Sequence, residues 1–337
     1  MMMAPIRILL LKPDSDDPSP LDQSLGARLA AAHGADGSGI VVEEATFHHG
    51  DLDDLARVFD PWRGKIAAVV GATGVPESTK LGELAEAAGR LCFVANNNPS
   101  VWRQRRQVFH IGLPSAQTAA AVAAHLRRRN CARIALVHDQ TEFQQNVAAN
   151  MEKSLVAGGA AVRRFGPLAD VDLASMSDWQ PQVVYVIFSS EAKALPIARQ
   201  VRAGGIAAPL LFGRSLLRTS FLAALGTGAG ECWFVDSFSR LAPANRLIAE
   251  FFDQLRRAGV ALPTTNHAFG WDGMSLCARA LKAAAGSPSG AIAYLESAIP
   301  LLGVTGTCAF SAANHNGRAG AGPTILTRWH NQRFEDV

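Results

Sequence analysis

Ile66-Ala67-Ala68-Val69-Val70 runs directly into Gly71-Ala72-Thr73-Gly74-Val75-Pro76-Glu77-Ser78-Thr79, an apolar run closed by a loop of small and hydroxyl residues. The same device recurs along the chain. Leu91 to Ala95 runs into Asn96-Asn97-Asn98-Pro99-Ser100, Val183 to Phe188 into Ser189-Ser190-Glu191, and Leu210 to Phe212 into Gly213-Arg214-Ser215. Short apolar runs bounded in this way read as strands, and their alternation with helical stretches predicts an α/β fold with parallel sheets. In such a sheet the loops share one edge, at the carboxyl ends of the strands, where free backbone N–H groups and helix N-termini hold small ligands.

Periodicity places strands at 6–11, 40–46, 66–70, 91–95, 108–111, 133–138, 161–165, 183–188, 208–212, 231–236 and 323–329, with helical patterns in most of the gaps. Residues 116–129 carry Val122, Leu126 and several alanines on one stripe, with Arg127 to Arg129 in the last turn, where cations suit the helix dipole. Residues 191–203 repeat the pattern, with Ala194, Leu195, Ala198 and Val201 inward and Gly204-Gly205 as terminator. Ile111-Gly112-Leu113-Pro114-Ser115 closes a first set of strands and Val235-Asp236-Ser237-Phe238-Ser239 a second. The helices read at 244–258 and 266–285 bring no strand to extend the second sheet, so they are expected to cover the first. Two Rossmann-like lobes follow, one from 1–114 plus 238–322 and one from 115–237 plus 323–337. Three crossovers would join them, an arrangement suited to hinge bending.

Composition narrows the function classes. The chain has 337 residues, 48% of them hydrophobic, enough for two cores. Lys and Arg number 32 against 29 Asp and Glu, and the arginines are dispersed, so no nucleic-acid surface is indicated. Cysteines at 92, 131, 232, 277 and 308 show no C-x-x-C spacing and are odd in number, which fits neither a complete disulfide framework nor a zinc site. No apolar run reaches the eighteen or so residues of a membrane span. Met1 to Arg7 leads straight into a strand without a signal-peptide pattern, so the expected location is periplasmic if an upstream signal was removed, and otherwise cytoplasmic.

Several sharper readings fail on their own chemistry. Gly71-Ala72-Thr73-Gly74 lacks both the G-x-G-x-x-G pattern and the Gly-Lys-Ser/Thr ending of a phosphate loop. His48-His49 reads as a surface turn, because neighbours on an extended chain point to opposite faces and no second metal-ligand cluster accompanies them. Ser78 with His110 or His138 has no G-x-S-x-G elbow. Without a grouped nucleophile, base or metal ligand, the chain reads as a binder and not as an enzyme, with no cofactor and no metal. Asn96-Asn97-Asn98 suits either polar lining or an Asx-type turn.

The order and spacing of several short pieces resemble the type I periplasmic binding proteins, in the branched-chain amino acid and amide receptor branch, over essentially the full length. The pieces are Val69-Val70-Gly71 with Ser78-Thr79, Asn98-Pro99-Ser100, Phe109-His110-Ile111, Ile134 to Asp139 with Phe143, Ala198 to Gly205, Trp271-Asp272-Gly273 and Gly303 to Phe310. The resemblance implies a solute receptor that closes two lobes on a small carboxylate or amide and hands it to an ABC-type membrane permease. It places lobe-one contacts at Glu77, Ser78 and Thr79 and at Asn96, Asn97 and Asn98, holding a carboxylate. Lobe-two contacts would be Phe143, Ser190, Glu191, Arg214 and Ser215, with Trp271 near the hinge. Amino-acid receptors of this type carry an acidic residue after the 208–212 strand to pair with the ligand's ammonium. Here Gly213-Arg214-Ser215 stands in that stretch, and an arginine favours a second carboxylate or a neutral polar group. Gln144-Gln145 also replaces the family's usual Gly after Phe143. A cytoplasmic ligand sensor of the same fold is the alternative reading.

Overall fold

The computed structural model describes residues 5–34, 39–71, 74–96, 98–165, 171–188, 190–239, 245–318 and 324–336. The chain divides into two compact units, Met1–Pro114 with Arg246–Gly322 and Ser115–Asn245 with Pro323–Val337. The second passage thus falls between 245 and 246, past the expected 237, and Ser237 and Phe238 stay with the strand before them.

Unit one begins with β1 (Ile6–Asp14), α1 (Pro18–Gly34), β2 (Ile40–His48), α2 (Leu52–Phe59), β3 (Ala68–Gly71), α3 (Val75–Ala88), β4 (Leu91–Val94) and β5 (Val108–His110). Unit two follows with α4 (Ser115–Arg128), β6 (Arg133–His138), α5 (Glu142–Ala157), β7 (Ala161–Arg164), α6 (Leu173–Trp179), β8 (Val183–Ile187), α7 (Glu191–Ala203), β9 (Leu210–Phe212), α8 (Thr219–Leu225) and β10 (Cys232–Asp236). The chain returns to unit one as α9 (Arg246–Arg257), α10 (Thr265–Ala283), α11 (Pro288–Glu296) and a small hairpin of β11 (Leu301–Gly303) and β12 (Gly306–Cys308). It ends in unit two with β13 (Ile325–His330) and β14 (Arg333–Asp336).

Sheet one has the order β2-β1-β3-β4-β5 and is parallel throughout. Sheet two repeats that order as β7-β6-β8-β9-β10, also parallel, and then adds β13 and β14 antiparallel. The last expected strand therefore forms but runs against its neighbour.

Register explains the cores. Leu9, Val69, Cys92 and Val108 stand side by side across sheet one, and with Leu55, Phe59 and Leu81 they form a buried cluster. Residues of the opposite parity point the other way, where Phe93 and Phe109 stack at 5.7 Å and Phe310 meets Phe109 edge-on at 5.2 Å. That alternation is the period-two signature of a sheet covered on both faces. In unit two, Val122, Leu126, Ile134, Leu136, Met151, Val183 and Tyr185 form the corresponding core. The five cysteines are free, and Cys92 is fully buried in the first core. No helix among the described residues is long and apolar enough to cross a membrane.

Candidate functional site

In an open doubly wound sheet, ligands gather where the strand order reverses, outside the carboxyl ends of the strands. That point lies between β1 and β3 in unit one and between β6 and β8 in unit two. The helices that start nearby differ in how their N-termini are satisfied. Asp51 caps α2, accepting from Asp53 and Asp54 N–H, and Thr141 caps α5, accepting from Gln144 N–H. By contrast, α3 begins on Gly74 and α7 on Ser190 with no side-chain cap, which leaves backbone donors at both edges.

At the unit-one edge, Glu77 is buried at 2% exposure and folds back over the start of α3. Its Oε1 accepts from Gly50 N–H at 2.8 Å and lies 2.7 Å from His49 Nδ1, while Oε2 has no partner. A side chain at Gly74 would meet that Oε2 at 2.3 Å and displace the Glu77 carboxylate. Ser78 is fully buried with its hydroxyl unpartnered, and Thr79 is half-buried. His48 and Asp54 pair at 3.0 Å, and the N–H of His48, its ring and Arg57 together hold the Asp54 carboxyl well below the usual range. The two histidines of the turn are therefore engaged by carboxylates of their own unit.

The Asn96 to Asn98 stretch forms consecutive Asx-type turns. Asn96 Oδ1 accepts from Asn98 N–H at 2.9 Å, and Asn98 Oδ1 accepts from Ser100 N–H at 3.0 Å, capping a short 3-10 turn at Pro99–Val101. Asn96 is 9% exposed with Nδ2 unpartnered, whereas Asn98 is exposed. Asn97 lies outside the described residues, as does the side chain of Phe143.

At the unit-two edge, Ser190 is exposed and Glu191 accepts from Ser220 Oγ at 2.7 Å. Arg214 is half-buried and donates from Nη2 to Thr118 Oγ1 at 2.7 Å, so part of its fork is committed to α4. Burial raises the Tyr185 hydroxyl to about 12, against the pull of the Arg214 charge. Ser215 is half-buried, and its carbonyl accepts from Arg218 Nε at 2.9 Å. Asp139 accepts from Thr141 and pairs with Lys193 at 3.0 Å; although its burial works the other way, these bonds hold its carboxyl below the ordinary value.

Trp271 is in the core of unit one. It lies on α10 at 1% exposure, 5.6 Å from Phe251 and 5.5 Å from the His33 ring. The buried face of α10 around it carries Ala268, Phe269, Gly270 and Met274 beside the acidic Asp272, and the indole Nε1 has no partner among the described residues. The residue that organises the Asn loop is His110, which the sequence offers only as the end of a strand and as a partner for Ser78 that no elbow motif supports. Its burial and the nearby Arg318 charge push the imidazole down to about 3. Unfolding restores an ordinary value near 6.5, so below that pH the unfolded chain takes up a proton that the folded chain refuses. Stability is thus lost as pH falls from 6.5 toward 3, at up to about 1.4 kcal/mol per pH unit for this one group. Urea unfolding of His110→Gln between pH 7 and pH 4 should show an acid slope about one proton shallower than the unaltered chain; equal slopes would refute the assignment.

No group of three or more His, Cys, Asp or Glu among the described residues is placed to hold a metal ion. The two edges offer amide donors, hydroxyls and an amide side chain, groups that can hydrogen-bond a polar small molecule.

Solved structures share this fold over nearly the whole chain. An ABC transporter substrate-binding protein from Desulfitobacterium hafniense in complex with Leu is 19% identical, covering 98% of this chain and 99% of its own, with a TM-score of 0.80. The branched-chain amino acid transporter substrate-binding protein LivJ from Streptococcus pneumoniae in complex with isoleucine is 18% identical, with 99% of each chain covered and a TM-score of 0.78. A solute-binding protein of an ABC transporter from R. palustris in complex with benzoate is 18% identical, covering 99% of this chain and 95% of its own, at 0.78. No curated protein matches the sequence. A family model described as periplasmic binding protein matches residues 5–331, and the chain belongs to that family, in its type I branch.

Proposed function

We propose that this protein is the solute-binding component of an ABC-type transporter. It holds a small carboxylate or amide, amino-acid-like in size, with residues of both units, which close about the hinge segments before a membrane permease takes the ligand. The observation that carries the reading is the pair of switch-point edges whose helices, α3 and α7, start without side-chain caps, beside the unpartnered polar groups of Ser78 and Asn96. Free N–H groups at a helix start favour an anion. The ligands of the three structural relatives, leucine, isoleucine and benzoate, share a carboxylate, and benzoate carries no ammonium. Arg214 in place of an acidic residue fits a ligand without a free ammonium, such as an aromatic acid, a dicarboxylate or an amide. The ligand is gripped and released unchanged, and the protein works in the periplasm.

Closure needs a ligand that binds the closed state better than the open one. Isothermal titration calorimetry with L-leucine, L-isoleucine, benzoate, succinate and small aliphatic amides should find at least one ligand with a dissociation constant near 1 to 10 μM, about 7 to 8 kcal/mol of binding. Acids lacking an ammonium are expected to bind at least tenfold tighter than the two amino acids. Silence across the panel would sink the receptor reading. A preference for the amino acids would sink the part assigned to Arg214.

A further inference from the structure

The loop from Asn96 to Trp102 closes around a buried histidine that also reaches a distant part of the chain. His110 ends β5 with no exposed surface; its ring stacks on Trp102 at 3.7 Å and 15°, and its Nε2 meets the Asn96 carbonyl. On the other side, Asn316 Nδ2 lies 2.5 Å from His110 Nδ1 and 3.3 Å from the Gly112 carbonyl. Asn316 Oδ1 accepts from Arg318 N–H at 3.3 Å, which fixes which end of the amide faces the ring. A ring whose Nδ1 accepts from Asn316 carries its hydrogen on Nε2 when neutral, directed at the Asn96 carbonyl; the opposite tautomer would instead accept from the Asn96 N–H, which lies 3.2 Å from the same Nε2.

Two further contacts tie the same segments together. A side chain at Gly112 would come within 2.5 Å of the Asn96 carbonyl and 2.7 Å of His110 Nε2, so the backbone there lies against both. Arg318 Nη2 donates to the Ile111 carbonyl at 2.9 Å. Residues 96–102, 110–112 and 316–318 are therefore one bonded knot within unit one. Residues 110–112 lead to the point where the chain passes out of the unit, after Pro114.

We propose that His110, held by Asn316, is a positioning residue: it locks the 96–102 loop to residues 110–112, just before the passage after Pro114, and to residues 316–318, so that the loop and the start of that passage are displaced together. A ligand that moves the loop would then bias the passage, which is the coupling that closure requires. Only that consequence rests on the receptor reading; the linkage itself does not.

Hydrogen–deuterium exchange of the full-length protein tests the linkage without any ligand. In Asn316→Ala, amides of 93–102 should exchange about five- to tenfold faster, the size of one lost buried hydrogen bond, while β1 and β3 keep their protection. Adding His110→Gln to that variant should change little more, because the two residues act in one chain of bonds. The unaltered protein supplies a second readout that needs no folded variant: long-range proton–nitrogen NMR of its imidazoles should find His110 with hydrogen on Nε2 and none on Nδ1. Unchanged exchange at 93–102 in Asn316→Ala, acceleration shared equally by β1 and β3, or a His110 with hydrogen on Nδ1 would each overturn the proposal. If calorimetry finds no ligand, the receptor reading falls and these outcomes still decide the linkage.

Discussion

Asp272→Ala is expected to remove about 3 to 5 kcal/mol of stability, enough to leave much of the chain unfolded at 25 °C, given the usual total of about 5 to 15. Asp272 sits on α10 at 1% exposure and accepts from Val304 N–H at 2.6 Å, from Thr305 N–H at 2.9 Å and from the Thr305 hydroxyl. It thereby fixes the turn of the β11–β12 hairpin. Arg318, also 1% exposed, lies 3.9 Å from the carboxylate and donates to the Thr305 carbonyl at 2.6 Å. Burial raises the Asp272 carboxyl against the pull of Arg318, a sign that desolvation is only partly offset. Removing the carboxylate therefore leaves two backbone donors and the Thr305 hydroxyl without their acceptor, and the buried Arg318 cation without its counter-charge. Arg318→Met should cost less, because three hydrogen bonds to Asp272 survive. The double variant, Asp272→Ala with Arg318→Met, should be more stable than the sum of the singles by at least about 1 kcal/mol, since the buried pair is removed as a unit. Urea unfolding at pH 7 gives all of these values. A loss under about 1 kcal/mol for Asp272→Ala would show that the hairpin is held by packing alone.

The strands at 66–70, 91–95, 183–188 and 208–212 were legible because each is a short apolar run ending at Gly, Asn or Ser, and burial on both faces demands that kind of run. The elements that escaped are those whose burial is partial or whose buried stripe is not apolar. In β11, Leu302 is exposed between two buried residues, so three residues carry too little pattern. The buried stripe of α1 is Pro20, Gln23, Ser24, Gly26, Ala27 and Ala30. Its spacing is helical, yet its residues are small or polar because another helix approaches too closely for larger ones. The start of α11 was signalled by Ser287 before Pro288, a cap followed by the favoured first-turn residue.

The candidate site was legible as a set of loops and not as a set of roles. Asn96 and Asn98 spend one side-chain oxygen each on turns, which accounts for their identity without a ligand and leaves Asn96 Nδ2 buried without a partner. Glu77 was read with its neighbours as ligand lining, but its partners are Gly50 and His49, from a loop far earlier in sequence. Arg214 looked like a free cation, and Thr118, 96 residues away, shares it. His110, Asp272 and Arg318 draw their meaning from one another across separate segments. No local spacing announces such a network.

Gly270→Ala should destabilise unit one by about 3 kcal/mol or more, although helix propensity alone predicts a gain of about 1 kcal/mol. The reason is the approach of α1 to α10. A Cβ on Gly270 would sit 1.8 Å from the Gln23 carbonyl oxygen and 2.9 Å from the Ala27 nitrogen, both backbone atoms that no rotamer change can move. Gly26 mirrors it, with a Cβ 1.9 Å from the His267 carbonyl oxygen. The helices are also pinned end to end, since Thr264 caps α10 and donates its hydroxyl to Asp22 at 2.8 Å, which opposes a compensating slide. Overpacking of this kind forces the two backbones apart and opens the layer over β3, where α10 rests. Gly34→Ala separates the two effects, because Gly34 ends the same α1 helix with nothing within 4 Å of its would-be Cβ. It should be neutral or stabilising by up to about 1 kcal/mol. Thermal unfolding of the two variants decides the matter: a Gly270→Ala protein as stable as Gly34→Ala would mean that the helices part at little cost, and that the glycines are not what sets their separation.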